Sequence, residues 1–297
     1  ALAKTRARLR AIASASGLAG THVGKKFGFE QSTTDIGAVF SDPQIDTVVI
    51  ATRHDSHAGY VVDALKAGKH VFVEKPLAIR LDEIVAIEET VRAAGANGRM
   101  APILMVGFNR RFAPHVVRTK ALLETVHDPK SFVMTVNAGA VSPEHWTRAP
   151  DSGGGRIIGE ACHFIDLLRF LAGSSIVEHQ VAAARTADAC VTILLRFSDG
   201  STGTVHYLSN GHRSFPKERL EVFCGGRILQ LDNFRTLRGF GWPGFTTMRL
   251  WRQDKGQTAC VDAFVTAIRE GGPSPISFPE LIEVAKVTLA VAAAANA

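Results

Sequence analysis

The chain is predicted to be an α/β protein: a doubly wound parallel unit over residues 1–107, then an α+β unit over residues 108–297 with an open, mainly antiparallel sheet. Three observations carry this. In the first third, short continuous apolar runs alternate with helix-length amphipathic segments. After Ser131 the pattern changes to many short alternating segments. The length, 297 residues, suits two units more than one.

Taken in order, Ile45 to Thr52 reads as a buried strand ending in the polar stretch Arg53-His54-Asp55-Ser56-His57, and a helix follows from Ala58 to Ala67. Gly68-Lys69-His70 leads into Val71-Phe72-Val73, a continuous apolar run of the kind covered on both faces in a parallel sheet. That strand stops at Glu74-Lys75-Pro76. The carboxyl ends of strands in such sheets border the ligand crevice, so Lys75 is placed to point into a site. Pro76 restricts Lys75 to extended geometry and aims its ammonium. For a Lys-Pro pair by itself, a surface lysine before a turn is the plainer alternative. A helix from Leu81 to Ala94 follows, and Ile103 to Gly107 is a third buried strand running into Phe108-Asn109-Arg110-Arg111-Phe112.

The second half carries alternating runs at 132–136, 189–197, 203–208, 219–223 and 227–231. Ser198-Asp199-Gly200-Ser201 and Cys224-Gly225-Gly226-Arg227 supply hairpin turns between neighbours. Helices from Gly154 to Leu171 and after Gln257 are expected to cover one face of the resulting sheet. The Ala/Val-rich tail, Val284 to Ala297, contains Lys286 and is too short to span a bilayer, so it reads as a packed helix.

A formal net charge of +6 with scattered carriers does not build the concentrated basic face that nucleic acid needs; it suits phosphate-bearing cofactors or anionic sugars. Cys162, Cys190, Cys224 and Cys260 lie far apart with no Cys-x-x-Cys pair, which points to free thiols in a reducing, cytoplasmic compartment and to no zinc site. Neither a signal peptide nor a membrane span is evident.

Several motifs occur together in one order: Val49-Ile50-Ala51-Thr52 with His57, Ala67-Gly68-Lys69-His70-Val71 running into Glu74-Lys75-Pro76, and Val106-Gly107-Phe108-Asn109-Arg110-Arg111-Phe112. Gly153-Gly154-Gly155 and Cys162-His163-Phe164-Ile165-Asp166 follow. In this set the chain resembles the Gfo/Idh/MocA family of nicotinamide-dependent oxidoreductases over nearly its whole length. The resemblance implies a Rossmann-type unit, an α+β unit whose open sheet face serves a homo-oligomer, NAD or NADP as cofactor, and a small carbohydrate-like substrate. It also implies that Ala1 to Thr5 is the end of a first helix and Arg8 to Ala13 a second strand, so that a first strand and its glycine-rich phosphate loop are absent. The pair Gly24 and Gly28 follows no predicted strand and does not replace that loop.

By the same resemblance Lys75 and His163 are the catalytic pair, His163 as acid/base and Lys75 as donor to the substrate oxygen. Read by itself, His163 is a half-buried, hydrogen-bonded histidine. Cofactor contacts are expected from Thr52, His57, Glu74 and Lys75. Ser14 and Ser16 stand where NAD-preferring members place an acid; they suit a ribose or a phosphate, or simply shape a turn. Many members carry an aspartate four residues before the histidine, where this chain has Gly159 beside Glu160. A helical step rotates about 100°, so Glu160 can orient His163 from another angle, bind a substrate hydroxyl, or face solvent. Arg110, Arg111, Arg156, Arg213 and Lys217 are candidates for an anionic substrate group, Arg111 foremost. Ser214-Phe215-Pro216-Lys217-Glu218 also looks similar to the Gfo/Idh/MocA half of bacterial two-part oxidoreductases. The alternative to an enzyme is a catalytically silent sugar-binding or assembly module that keeps the fold.

Overall fold

Strands buried on both faces need helices on both sides, and the first third of the computed structural model follows that rule. The structure describes residues 1–95, 101–142, 144–184 and 189–296; Ala297, the end of the predicted tail helix, lies outside them. Strand β1 (Ala11–Ala13) pairs in parallel with β2 (Gln31–Thr33) across helix α1 (Gly17–Phe27). After α2 (Ile36–Ser41), a second parallel sheet runs β3 (Thr47–Ile50), β4 (His70–Val73), β5 (Leu104–Val106), linked by α3 (His57–Lys66) and α4 (Leu81–Gly95). Val71, Phe72 and Val73 are all buried, as their continuous apolar run requires.

Two local expectations change here. The strand expected from Arg8 begins only at Ala11, because Arg8 and Arg10 turn outward to pair with Glu30 and Asp42. Gly24 does follow a strand, and its work is packing: a Cβ there would lie 2.5 Å from Ser32 Oγ, so the glycine lets α1 sit against β2.

The second half begins with α5 (Pro114–Leu123) and β6 (Ser131–Asn137). The chain then passes through the short α6 (Pro150–Gly153) and a π-helical turn (Ile157–Ala161) into α7 (Cys162–Ala172). The single helix expected from Gly154 is therefore a turn, a widened turn and a helix. Strands β7 (Ile176–Ala183), β8 (Cys190–Phe197), β9 (Thr202–Leu208), β10 (Glu218–Cys224), β11 (Arg227–Asp232), β12 (Thr236–Phe240) and β13 (Thr247–Arg249) follow, then α8 (Gln257–Glu270) and α9 (Phe278–Ala295).

These strands form one sheet in the order β13-β12-β11-β10-β6-β9-β8-β7, antiparallel throughout except that β6 and β9 run parallel. Gly200, at φ +85°, and the pair Gly225 and Gly226 turn the two expected hairpins. Helix α7 lies on the sheet over Gly203, where a Cβ would come within 2.9 Å of Leu168 Cδ1. Helix α9 packs against α4, β5, α7 and β7, and Lys286 pairs with Glu88 of α4 at 2.8 Å. The tail thus ties the first half to the second.

Candidate active site

Lys75 is the first residue group to place. β4 carries the chain to Glu74-Lys75-Pro76, with a cis Lys75–Pro76 bond. Lys75 Nζ donates to the carbonyl oxygen of Gly159 at 2.6 Å, and among the described residues it has no carboxylate partner. The turn is braced from behind by His57, whose Nδ1 lies 2.7 Å from Pro76 O and Nε2 3.1 Å from Thr52 O. Backbone carbonyls thus lie within hydrogen-bond distance of both His57 nitrogens, and a neutral imidazole, with one N–H, donates to one of them. The residue is buried, so its geometry is that of a brace between β3 and the lysine turn. Thr52 is exposed, its hydroxyl 2.7 Å from that of Ser56. Glu74 lies over Gly107, where a Cβ would stand 3.0 Å from Glu74 Oε2; crowding by protein raises its carboxyl while its outer edge remains open.

His163 sits in the first turn of α7, four residues beyond the carbonyl that holds Lys75. Its ring meets Phe108 edge-on at 6.2 Å between centroids. Nδ1 is enclosed without a hydrogen-bond partner, and Nε2 has no hydrogen bond to a described residue, which leaves Nε2 as the nitrogen for a ligand. Burial, reinforced by the cations Arg110, Lys75, Lys255 and Lys217, holds its pKa well below the usual 6.5. The imidazole is therefore neutral at neutral pH, the form that accepts a proton.

Glu160 has its hydrogen-bond partners elsewhere than at His163. Its carboxylate takes hydrogen bonds from Lys217 Nζ at 2.8 Å, Arg156 at 3.0 Å and the Tyr207 hydroxyl. Burial opposes its charge, but Lys217, Tyr207 and Arg156 outweigh it and hold the carboxyl at about 2. At Gly159 the volume a side chain would fill is taken by His54, whose Cε1 would be 2.9 Å from a Cβ there. The polar stretch Arg53 to His57 contained His54, yet no spacing signal distinguished it from its neighbours.

Arg111 is not brought to the cleft. Its guanidinium is buried and grips Asp166 of α7 at 2.6 Å and Glu280 of α9 at 3.0 Å, so its charge is met by the protein itself. Arg110 is likewise buried against Glu218, which also takes Lys255 at 2.6 Å. Arg213 is exposed. At the end of β1, Ser14 extends the ladder by donating its N–H to Thr33 O, and Ser16 caps α1 by accepting from Ala19 N.

A dinucleotide fits part of this arrangement. Thr52, Glu74 and Lys75, at the carboxyl ends of adjacent parallel strands, could offer donors and acceptors to a nicotinamide ribose. Among the described residues no glycine-rich loop joins a strand to a helix N-terminus, so they supply no pyrophosphate cradle.

Comparison with known families decides the assignment. Residues 1–101 match the oxidoreductase family with an NAD-binding Rossmann fold, and residues 126–228 match the Gfo/Idh/MocA C-terminal domain. The chain belongs to the Gfo/Idh/MocA family. It is 28% identical over 225 residues to myo-inositol 2-dehydrogenase of Thermotoga maritima, covering 71% of this chain and 64% of that one. It is 27% identical over 341 residues to levoglucosan dehydrogenase of Pseudarthrobacter phenanthrenivorans, covering 95% and 86%. A solved structure of levoglucosan dehydrogenase in complex with NADH and levoglucosan superposes with a TM-score of 0.84 at 26% identity, covering 97% of this Gfo/Idh/MocA chain and 88% of that one. Among the described residues no helix is long and apolar enough to cross a membrane, no metal-ligand cluster occurs, and the four cysteines are free and buried.

Proposed function

We propose that the protein, with residues 1–107 as its nucleotide unit and 108–297 as its substrate unit, is an NAD- or NADP-dependent dehydrogenase acting on a hydroxyl carbon of a sugar, nucleotide sugar or cyclitol. The observation that carries this reading is the backbone link between its two key residues. The carbonyl of Gly159 holds the Lys75 ammonium four residues before the neutral His163. NAD(P), when bound, supplies the hydride acceptor for the carbon–hydrogen bond that breaks. His163 Nε2 takes the proton of the same carbon's hydroxyl, and Lys75 donates a hydrogen bond to that oxygen as its charge grows. Reversing the proton's path reduces a ketone.

The surroundings support a polyol. Lys217, half open to solvent beside Glu160, presents spare N–H donors, and Glu160, tied on both oxygens, shapes that wall. The cations around His163 disfavour its protonated form and leave it as a base. Thr52, Glu74 and Lys75 would hold the nicotinamide ribose, and Ser14 and Ser16 the adenosine end. On the uncovered sheet face, Phe223, Ile228 and Phe240 form one cross-strand row, and exposures of 42% for Phe223 and 51% for Phe240 favour a homo-oligomer contact.

The test is steady-state turnover of myo-inositol, scyllo-inositol and levoglucosan with NAD⁺ and NADP⁺. His163→Ala should lower kcat by about 10²- to 10⁴-fold and Lys75→Ala by about 10²- to 10³-fold. Wild-type turnover in His163→Ala would refute the assignment.

A further inference from the structure

One imidazole in this site has no part in the proton transfer. His54 lies in the turn between β3 and α3, with Nδ1 2.8 Å from the carbonyl oxygen of Gly153. A carbonyl only accepts, so Nδ1 carries the hydrogen. Burial, with Lys75 and His57 nearby, keeps the ring neutral, and Nε2 therefore holds a lone pair. That nitrogen has no hydrogen bond to any described residue, and the residue keeps 6% of its surface exposed.

The ring is also fixed in place. Trp146 meets it edge-on at 4.7 Å between centroids, and Gly159 also lies against the ring. The backbone at 159 is not left-handed, so what matters there is the absent side chain: a Cβ would stand 2.9 Å from His54 Cε1 and 3.4 Å from Nδ1. The carbonyl of the same glycine holds Lys75 Nζ. A fixed neutral acceptor and a cationic donor thus flank one residue. Neighbouring hydroxyls on a sugar or cyclitol ring offer the matching pair, one oxygen to accept and one hydrogen to donate.

Resting on the polyol-dehydrogenase reading above, we propose that His54 determines substrate specificity: its Nε2 accepts a hydrogen bond from the hydroxyl adjacent to the one oxidised, while Lys75 holds the reacting oxygen. The site therefore selects vicinal diols. Gly159, with no side chain, leaves the imidazole its room.

Kinetics and calorimetric titration with myo-inositol, scyllo-inositol and levoglucosan compare wild type with His54→Asn and His54→Gln. Asparagine keeps a donor for Gly153 and lacks the distal acceptor; glutamine restores a polar group near it. His54→Asn should raise KM and the polyol Kd about tenfold, with kcat within a few-fold and the NAD Kd unchanged. His54→Gln should recover most of that loss. Gly159→Ala, which pushes the ring aside, should likewise raise KM and the polyol Kd. A deoxy-inositol lacking the neighbouring hydroxyl should bind weakly to wild type and no more weakly to His54→Asn. Wild-type KM and Kd in His54→Asn overturn the inference, as they do in Gly159→Ala should His54→Asn fail to fold. His163→Ala separates this from the reading beneath. If it abolishes turnover while His54→Asn is unaffected, only the inference falls; if it turns over normally, the polyol reading falls. No binding of any of the three polyols overturns both.

Discussion

Replacing Glu160 by glutamine removes one negative charge from a cluster that holds Lys217, Arg156 and the Tyr207 hydroxyl together. The carboxyl is displaced from 4.5 to about 2 in the folded protein. At about 1.4 kcal/mol per pH unit, that is worth on the order of 3 kcal/mol of stability at pH 7. The side chain is 24% exposed, so solvent screening moderates the attraction without removing it. Because the folded carboxyl titrates below the unfolded one, the stabilisation is complete above pH 4.5 and is lost as pH falls through about 2. Wild type should therefore exceed Glu160→Gln by about 3 kcal/mol at pH 7 and by roughly half of that near pH 3. Urea denaturation of both proteins, followed by far-UV circular dichroism from pH 7 down to pH 3, measures the difference directly. A gap that stays constant over this range, or that is under about 0.5 kcal/mol at pH 7 as for an exposed pair, would show that the cluster does not hold the carboxylate charged.

Arg111→Ala leaves Asp166 and Glu280 facing each other without their shared cation, and breaking such a buried pair should cost about 3–5 kcal/mol. A urea midpoint close to wild type would contradict the burial of that network. Gly203→Ala drives a methyl against Leu168, which is itself fully buried. Overpacking of about 1–3 kcal/mol is expected, read as a lowered Tm, and an unchanged Tm would mean that α7 sits further from the sheet.

The local runs of the sequence were enough for the three strands β3, β4 and β5, because each is a contiguous apolar stretch bounded by helix-forming residues. Val71-Phe72-Val73 and Ile103 to Gly107 are of this kind. The five strands read from alternation are present with their two glycine turns, although β6 and β9 pair in parallel. β2, β7, β12 and β13 carry no such signal: β2 is three polar residues, β7 is an edge strand with both faces partly open, β12 mixes Arg238 with Gly239, and β13 has three residues. Where half the residues face water on both sides, alternation carries no signal.

What the sequence determined by itself was the set of motifs, the fold class they imply, and the positions of Lys75 and His163 at a strand end and on a helix. Only the tertiary structure decided what each charge meets. Lys75 finds the Gly159 carbonyl 84 residues away, His54 finds Gly153 at a separation of 99, and Glu160 finds Tyr207 and Lys217 at 47 and 57. Arg111, placed by its motif beside a cleft, is instead claimed by Glu280, 169 residues on. Apolar burial is encoded by periodicity along the chain, whereas a polar side chain's role depends on one partner that folding delivers from elsewhere, and no local pattern records which partner that is.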